Sequence, residues 1–311
     1  MAQQIKHRRW LGASGISVPA LGVGTNKWGA GQVANDAAAF HVFQTSLDKG
    51  MTFFETAEVY TGGNSERLLG DCIRRDVRPV VIASKFAPLP NRLSPHALMD
   101  ALDDSLNRLG LEGLDLYQIH WPYTLLNSDA LMDMMALAVR IGKVRAVGVS
   151  NYSAKQMRQA ATRLARYQIP LACNEVHYSL LHRQPEANGV LDACRELNVA
   201  LIAYQPLENG LLREPDPDTA PRRADILAFA RKTRQEQVTT LQETLRTIAH
   251  NHGKTVSQAA LNWLLQRDEH IIPIPGTTNI QHLTDNLEAL SWQLSDDEFA
   301  KIDRASLPWK K

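Results

Sequence analysis

The feature that most restricts this chain is a repeated alternation. Short, continuous apolar runs of strand length recur at residues 21–25, 51–54, 79–84, 114–119, 144–149, 171–176, 199–204 and 271–275, with stretches of helical period between them. Val80, Val81 and Ile82 typify the runs, and Leu98, Leu102, Leu106 and Leu109 share one face of the helix that follows. Strands that are apolar on both faces, each trailed by an amphipathic helix, fit a parallel sheet covered on both sides. About eight such units in 311 residues fit an α/β fold of the closed (β/α)8 TIM-barrel type better than an open sheet. Residues 8–19, punctuated by Gly12 and Gly15, read as a β-hairpin ahead of the barrel. Helical stretches at 227–252, 256–266, 280–290 and 296–304 give the C-terminal half two helices more than the barrel needs. No composition shift marks a boundary, so 1–311 is expected to be one domain.

Charge narrows the function classes. Lys and Arg total 34 against 33 Asp and Glu, a formal net charge of +1, which argues against a nucleic-acid surface. The clusters Lys6-His7-Arg8-Arg9 and Arg222-Arg223 read as solvated faces. No apolar run approaches the roughly 20 residues of a membrane span. Met1 to Trp10 holds no apolar segment of a secretory signal, so none is expected. Cys72, Cys173 and Cys194 are odd in number and widely spaced, which suggests neither a disulfide framework nor a zinc motif. A reducing, cytoplasmic setting is expected, with a small molecule as partner rather than nucleic acid or membrane.

In a parallel α/β protein, chemistry is placed at the carboxyl ends of strands. Glu55 and Tyr60 follow the second predicted strand, Lys85 the third and His120 the fourth. In a barrel these ends converge on one mouth. A free tyrosine, with a pKa near ~10, is a poor proton donor at neutral pH. A nearby ammonium would lower that value, and a carboxylate would hold the ammonium in place and charged. His120 can orient a substrate oxygen or share the proton. Such a set protonates a carbonyl oxygen while a hydride arrives at carbon. No Gly-x-Gly-x-x-Gly follows the first strand, so the dinucleotide fingerprint is absent. The proline- and glycine-rich loop 205–221 exceeds the usual connection length, which marks it as a candidate binding loop.

Several ordered segments resemble the aldo-keto reductase superfamily. They are Phe53-Phe54-Glu55-Thr56-Ala57-Glu58-Val59-Tyr60, Ser65-Glu66-Arg67-Leu68-Leu69-Gly70, Ser84-Lys85, Leu116-Tyr117-Gln118-Ile119-His120-Trp121-Pro122, Gly142-Lys143-Val144-Arg145-Ala146-Val147-Gly148-Val149-Ser150-Asn151 and Ile274-Pro275-Gly276-Thr277. The resemblance runs from Leu11-Gly12 to Asp303. It implies a (β/α)8 barrel whose N-terminal hairpin closes the bottom, and reduction of aldehydes and ketones with NADP(H) and no metal. Tyr60 then resembles the general acid, with Lys85 and His120 as its partners. Glu55 stands where the family usually has aspartate, one methylene shorter. Ser150 and Asn151 resemble the pair that binds the nicotinamide carboxamide, and Tyr204 the ring that stacks on the nicotinamide. Glu175 replaces the usual glutamine, and a carboxylate accepts hydrogen bonds but cannot donate one. Gln205, Leu207, Asn209 and Gly210 resemble the loop over the pyrophosphate. Gly276, Thr277, Thr278, His282, Asp285 and Asn286 match the adenosine segment, and Gly24 and Thr25 join the cofactor set. Thr278 and His282 stand where many relatives place Lys or Arg for the 2′-phosphate, so NAD(H) stays open beside NADP(H). Trp28, Trp121, Tyr123 and the 205–221 loop are the expected substrate wall, which suits a flat apolar or aromatic carbonyl compound.

Three other readings stay open. Glu175 and His177 lie two apart on one strand and, with His120, offer a His/carboxylate metal site. Lys85 offers a Schiff-base amine, although Glu55 beside it opposes a depressed pKa. A cofactor-binding regulatory protein with little turnover, as in relatives that serve as potassium-channel subunits, is the third.

Overall fold

The computed structural model describes residues 7–31, 33–122, 125–214 and 232–311. A two-stranded antiparallel hairpin, β1 (Arg8–Trp10) and β2 (Ser17–Pro19), precedes eight parallel strands. These are β3 (Val23–Gly24), β4 (Phe53–Glu55), β5 (Val81–Phe86), β6 (Leu114–Ile119), β7 (Val144–Ser150), β8 (Leu171–His177), β9 (Ala200–Tyr204) and β10 (Ile271–Pro273). They pair in chain order from β3 to β10. A parallel bridge between Gly24 and Gly276, and a hydrogen bond of 2.9 Å from Gly22 N to Pro273 O, bring the last strand back to the first. The (β/α)8 barrel and its hairpin are therefore as the alternation implies.

The helices that matter for the site are α1 (Val33–Asp48), α2 (Asn64–Arg75), α3 (Ala97–Leu109), α4 (Ser128–Arg140), α5 (Ala154–Ala165), α6 (Gln184–Ala187), α7 (Val190–Leu197), α8 (Lys232–Asn251), α9 (Val256–Arg267), α10 (Ile280–Glu288) and α11 (Asp296–Ala305). Polar side chains start several of them. Ser153, Thr255 and Ser295 each form a capping box with a Gln or Glu three residues on. Of the loop expected at 205–221, residues 205–214 are described, with a 3-10 turn at Glu208–Gly210; the rest lies outside the described residues, as does the start of the helix expected at 227. No helix among the described residues is long and apolar enough to cross a membrane.

Two cores result. The larger lies between strands and helices. The smaller fills the barrel with Phe53, Ala83, Leu116, Ala146, Ala172, Ala200, Ile202, Ile272 and Ile274, and Leu11, Ile16 and Val18 of the hairpin plug its lower end. The plug fits closely at Gly12, at φ +52°. A Cβ there would come within 2.6 Å of Asn198 O and 2.7 Å of Ala172 O.

The strand that carries Lys85 was expected at 79–84 and runs instead from Val81 to Phe86, so Lys85 is a strand residue. The shift has a simple cause. Polar residues that face the barrel interior break the apolar run that marks a strand in the sequence.

The C-terminal half is tied down by one buried cation. Arg183 is fully buried before α6. It donates to both carboxylate oxygens of Glu186 (2.6 and 2.8 Å), to Asp303 O (2.9 Å) and Oδ1 (2.8 Å) and to Ser306 Oγ (2.8 Å), and it lies over the Trp263 ring at 4.8 Å. Burial alone would raise the Glu186 pKa, but Arg183 and Arg267 more than offset it and hold it at about 2. Arg183→Met is expected to destabilise the protein by roughly 3 kcal/mol, read as a lower denaturant midpoint at unchanged m. Because the folded pKa of Glu186 is depressed, its contribution is present above about pH 4.5 and is lost as pH falls towards 2. The variant should accordingly lose less stability than the wild type across that window.

Candidate active site

The mouth at the carboxyl ends of the strands opens into a cavity of about 940 Å³. Beneath its lining residues Glu55, Tyr60 and Glu175 lies Lys85, fully buried on β5. Alternate strand residues face the barrel axis, and this brings Lys85 together with Glu55 from β4 and with Glu175 from β8. The ammonium contacts a Glu55 oxygen closely and lies 3.2 Å from Glu175 Oε1, 3.1 Å from the Tyr60 hydroxyl and 3.3 Å from Thr56 O. Burial draws the Lys85 pKa down, and the Glu175 carboxylate opposes that pull. Glu175 also accepts from Gln118 Nε2 at 3.0 Å, and Gln118 Oε1 accepts from the Cys173 thiol at 3.2 Å. Gly148 leaves room for that thiol, since a Cβ there would stand 2.3 Å from Cys173 Sγ.

Tyr60 is aimed by an unusual turn. Thr61, Gly62 and Gly63 have φ of 48°, 66° and 86°, which two glycines make accessible. Thr61 Oγ1 is anchored on Trp28 O at 2.8 Å. The next helix is stapled by Ser65, whose hydroxyl meets Thr25 Oγ1 (2.7 Å), Thr25 O (2.8 Å) and Thr56 Oγ1 (2.9 Å). The Tyr60 hydroxyl donates to Glu55 Oε1 at 2.9 Å. Lys85 was expected to lower the phenol's pKa. Burial first, then the Glu175 carboxylate, instead push it well above its ordinary value. The phenol therefore stays protonated.

His120 follows β6, stacks on Trp121 at 4.0 Å and meets the Tyr60 ring edge-on at 5.8 Å. Its Nδ1 is buried and has no hydrogen-bond partner among the described residues. Burial, then the neighbouring Lys85 charge, lower its pKa to about 3. Ser150 Oγ donates to Glu175 O (2.9 Å), and Asn151 Nδ2 donates to Ser150 Oγ (3.0 Å) and His120 O (3.1 Å). Tyr204 donates to Asn151 Oδ1 at 3.0 Å, which fixes its ring in the cavity wall. Behind that ring His177 and His182 continue the stack, and His177 Nε2 pairs with Glu208 Oε1 at 2.7 Å. His177 is thereby engaged by Glu208, and no group of three or more His, Cys, Asp or Glu that could hold a metal occurs among the described residues.

Most of the residues singled out from the sequence share this cavity. Gly24, Tyr60, His120, Trp121, Ser150, Asn151, Glu175, Tyr204, Gln205, Leu207, Asn209, Gly210, Gly276, Thr277, Thr278 and His282 all line it, with Glu55 at its floor. Four do not. Thr25 is buried scaffold, its hydroxyl on Glu55 O at 2.8 Å. Asp285 accepts from Thr255 Oγ1 (2.9 Å) and Gln258 Nε2 (2.7 Å) and so holds the start of α9. Asn286 is buried behind the wall, where its Oδ1 accepts from Arg213 Nη2 at 3.1 Å. Trp28, expected in the substrate wall, is fully buried instead, and its indole donates to Thr277 O at 2.9 Å. An indole near a strand end carries no mark that separates mouth from seam. Tyr123 lies outside the described residues. Sequence reasoning passed over Lys27, Arg213 and Gln242, which also line the cavity. The available signals were a lysine two residues past Thr25 and an arginine three past Gly210.

A family model described as the aldo/keto reductase family matches residues 20–307. The pyridoxal reductase of Arabidopsis thaliana, a chloroplastic protein, is 34% identical over 94% of this chain and 84% of its own length. The L-glyceraldehyde 3-phosphate reductase of Escherichia coli K12 is 29% identical over 95% and 91%. Among solved structures, a Klebsiella pneumoniae aldo-keto reductase in complex with NADPH superposes with a TM-score of 0.79 at 28% identity, covering 98% of this chain and 96% of that one. A thermostable aldo-keto reductase, Tm1743, bound to the inhibitor epalrestat, gives 0.79 at 31% over 96% and 99%.

The environment of His120 makes a checkable statement about charge. Its folded pKa, about 3, lies below the unfolded value, so the neutral ring is the form the fold favours. Its contribution to stability is full above about pH 6.5 and declines as pH falls below that. Nitrogen-15 NMR of the imidazoles should show His120 neutral down to pH 4; a titration near pH 6 would contradict this site.

Proposed function

The chain belongs to the aldo/keto reductase family, and from that premise we propose that it reduces an aldehyde or ketone to an alcohol with NADP(H), Tyr60 giving the proton. The observation that carries the reading is the Tyr60 hydroxyl, held 3.1 Å from Lys85 Nζ and 2.9 Å from Glu55 at the cavity floor beside a neutral His120. Bound NADPH supplies the hydride. The cavity fits such a cofactor: Tyr204 offers a fixed aromatic face, and Gly24 and Gly276 approach so closely that a Cβ on Gly276 would stand 3.2 Å from Gly24 O. Lys27 and Arg213 bring cations suited to its phosphates, and Asn286 Nδ2 is a buried donor with no described partner. Arg213, whose Nη2 donates to Asn286 Oδ1 at 3.1 Å, brings an arginine to the cavity lining beside the segment matched to the adenosine end.

The residues divide the work. His120 Nδ1 or Nε2 meets the substrate oxygen as a neutral imidazole. Tyr60 hands its proton to that oxygen as negative charge develops there. Lys85 stabilises the phenolate left behind, and Glu55 holds both groups in register. Trp121, stacked on His120, offers a flat face beside Tyr60, which favours an aromatic aldehyde; the Arabidopsis relative is named for one, pyridoxal. The three buried free thiols suit a reducing compartment such as the cytoplasm, and we take 1–311 as a single barrel domain.

Tyr60→Phe should lower kcat for NADPH-dependent aldehyde reduction by about 10²-fold or more while leaving the Kd for NADPH within about twofold. Retained turnover would remove Tyr60 as the acid. Glu55→Asp tests the longer side chain. One methylene shorter, it cannot touch the phenol and the ammonium as Glu55 does, so kcat should fall about tenfold with KM little changed, and an unchanged kcat would show the extra reach to be idle.

A further inference from the structure

Glu55 alone would neutralise Lys85. The site nevertheless holds a second carboxylate, Glu175, which is 1% exposed yet lines the cavity. Its Oε1 lies 3.2 Å from Lys85 Nζ and its Oε2 accepts from Gln118 Nε2 at 3.0 Å. Taken as two carboxylates and one ammonium, Glu55, Lys85 and Glu175 sum to one negative charge, and moving a proton among the three leaves that sum unchanged. The other titratable groups facing them do not offset it. His120 is neutral, and Tyr60, Tyr204 and Cys173 all have raised pKa values and stay protonated and uncharged.

Where the excess charge acts follows from the reaction. Hydride transfer needs the reacting atoms within roughly 3–3.5 Å. A carbonyl whose oxygen meets Tyr60 therefore requires the nicotinamide at the inner end of the cavity, where Tyr60, His120, Ser150, Asn151, Glu175 and Tyr204 form the lining. The reduced nicotinamide is neutral and the oxidised one is a cation. A buried carboxylate on the lining of that inner end discriminates between the two.

Resting on the reductase reading, we propose that Glu175 makes this a site that favours the oxidised cofactor, so that the bound equilibrium between carbonyl plus NADPH and a proton and alcohol plus NADP⁺ leans towards alcohol and NADP⁺, the direction of carbonyl reduction. An amide at the same position would leave the three groups neutral in sum and remove the bias.

The test is binding rather than turnover. The Kd values of NADP⁺ and NADPH are measured separately at pH 7 by quenching of tryptophan fluorescence, for wild type, Glu175→Gln and Glu175→Asp. Wild type should bind NADP⁺ at least as tightly as NADPH. In Glu175→Gln the ratio Kd(NADPH)/Kd(NADP⁺) should fall about tenfold or more, and Glu175→Asp, which keeps the charge, should stay within about threefold of wild type. A wild type that binds NADPH over tenfold more tightly overturns the proposal without any variant, which covers a Gln variant that does not fold. Both nucleotides bound with the ratio unmoved in Glu175→Gln overturns the proposal and leaves the reductase reading standing. Failure of wild type to bind either nucleotide overturns both.

Discussion

A fully buried ammonium is the constraint around which the upper barrel is arranged. Lys85 gives up its hydration and recovers it from Glu55, Thr56 O and Tyr60, on the stretch that ends β4 and follows it, and from Glu175 on β8. Removing a charge from water costs several kcal/mol unless such partners are in place. The partners in turn need their own supports. Ser65 binds the ends of β3 and β4 to α2 so that Glu55 and Tyr60 keep their distance from Lys85. Gly148 makes space for Cys173, which orients Gln118, which orients Glu175. A defect in any of these propagates to the same nitrogen atom.

The loop that follows β9 shows a second way of holding geometry. Gln205, Glu208 and Asn209 all have φ near 50°, a conformation that non-glycine residues adopt only when their surroundings insist. The insistence comes from Glu208, fixed by His177 at 2.7 Å and Ser179 at 2.5 Å, and from a column of rings in which His182, His177 and Tyr204 stack in turn. The face that Tyr204 presents to the cavity is therefore set by residues that never reach it.

The parts of this molecule that follow local rules were legible in the sequence. Alternating strands and helices gave the barrel, and Tyr60, Lys85 and His120 were found because each stands at the carboxyl end of a successive strand. What escaped depends on which side of a strand end a residue lands. Trp28 and Thr25 sit within a few residues of lining groups but point into the seam and the staple. Asp285 entered the cofactor set because it falls in the segment that matches the adenosine grip, yet its carboxylate is held by Thr255 and Gln258 at the start of α9. Arg213 was passed over because its place on the cavity lining goes with a contact to Asn286, 73 residues away. The raised pKa of Tyr60 was unreadable for the same reason, since it depends on burial and on a carboxylate from β8.

The seam of the barrel deserves to be read as an event in the life of the chain. Seven of its strand junctions join neighbours along the sequence, but the eighth joins Gly24 to Gly276, and Trp28 clasps Thr277 across the same gap. Loop entropy grows only logarithmically, so bringing together ends about 250 residues apart costs about 5 kcal/mol, little more than a much shorter loop. Those few contacts form the lip of the cavity itself. The barrel is thus closed at its binding site, and the clasp that completes the fold is also the threshold a ligand must cross.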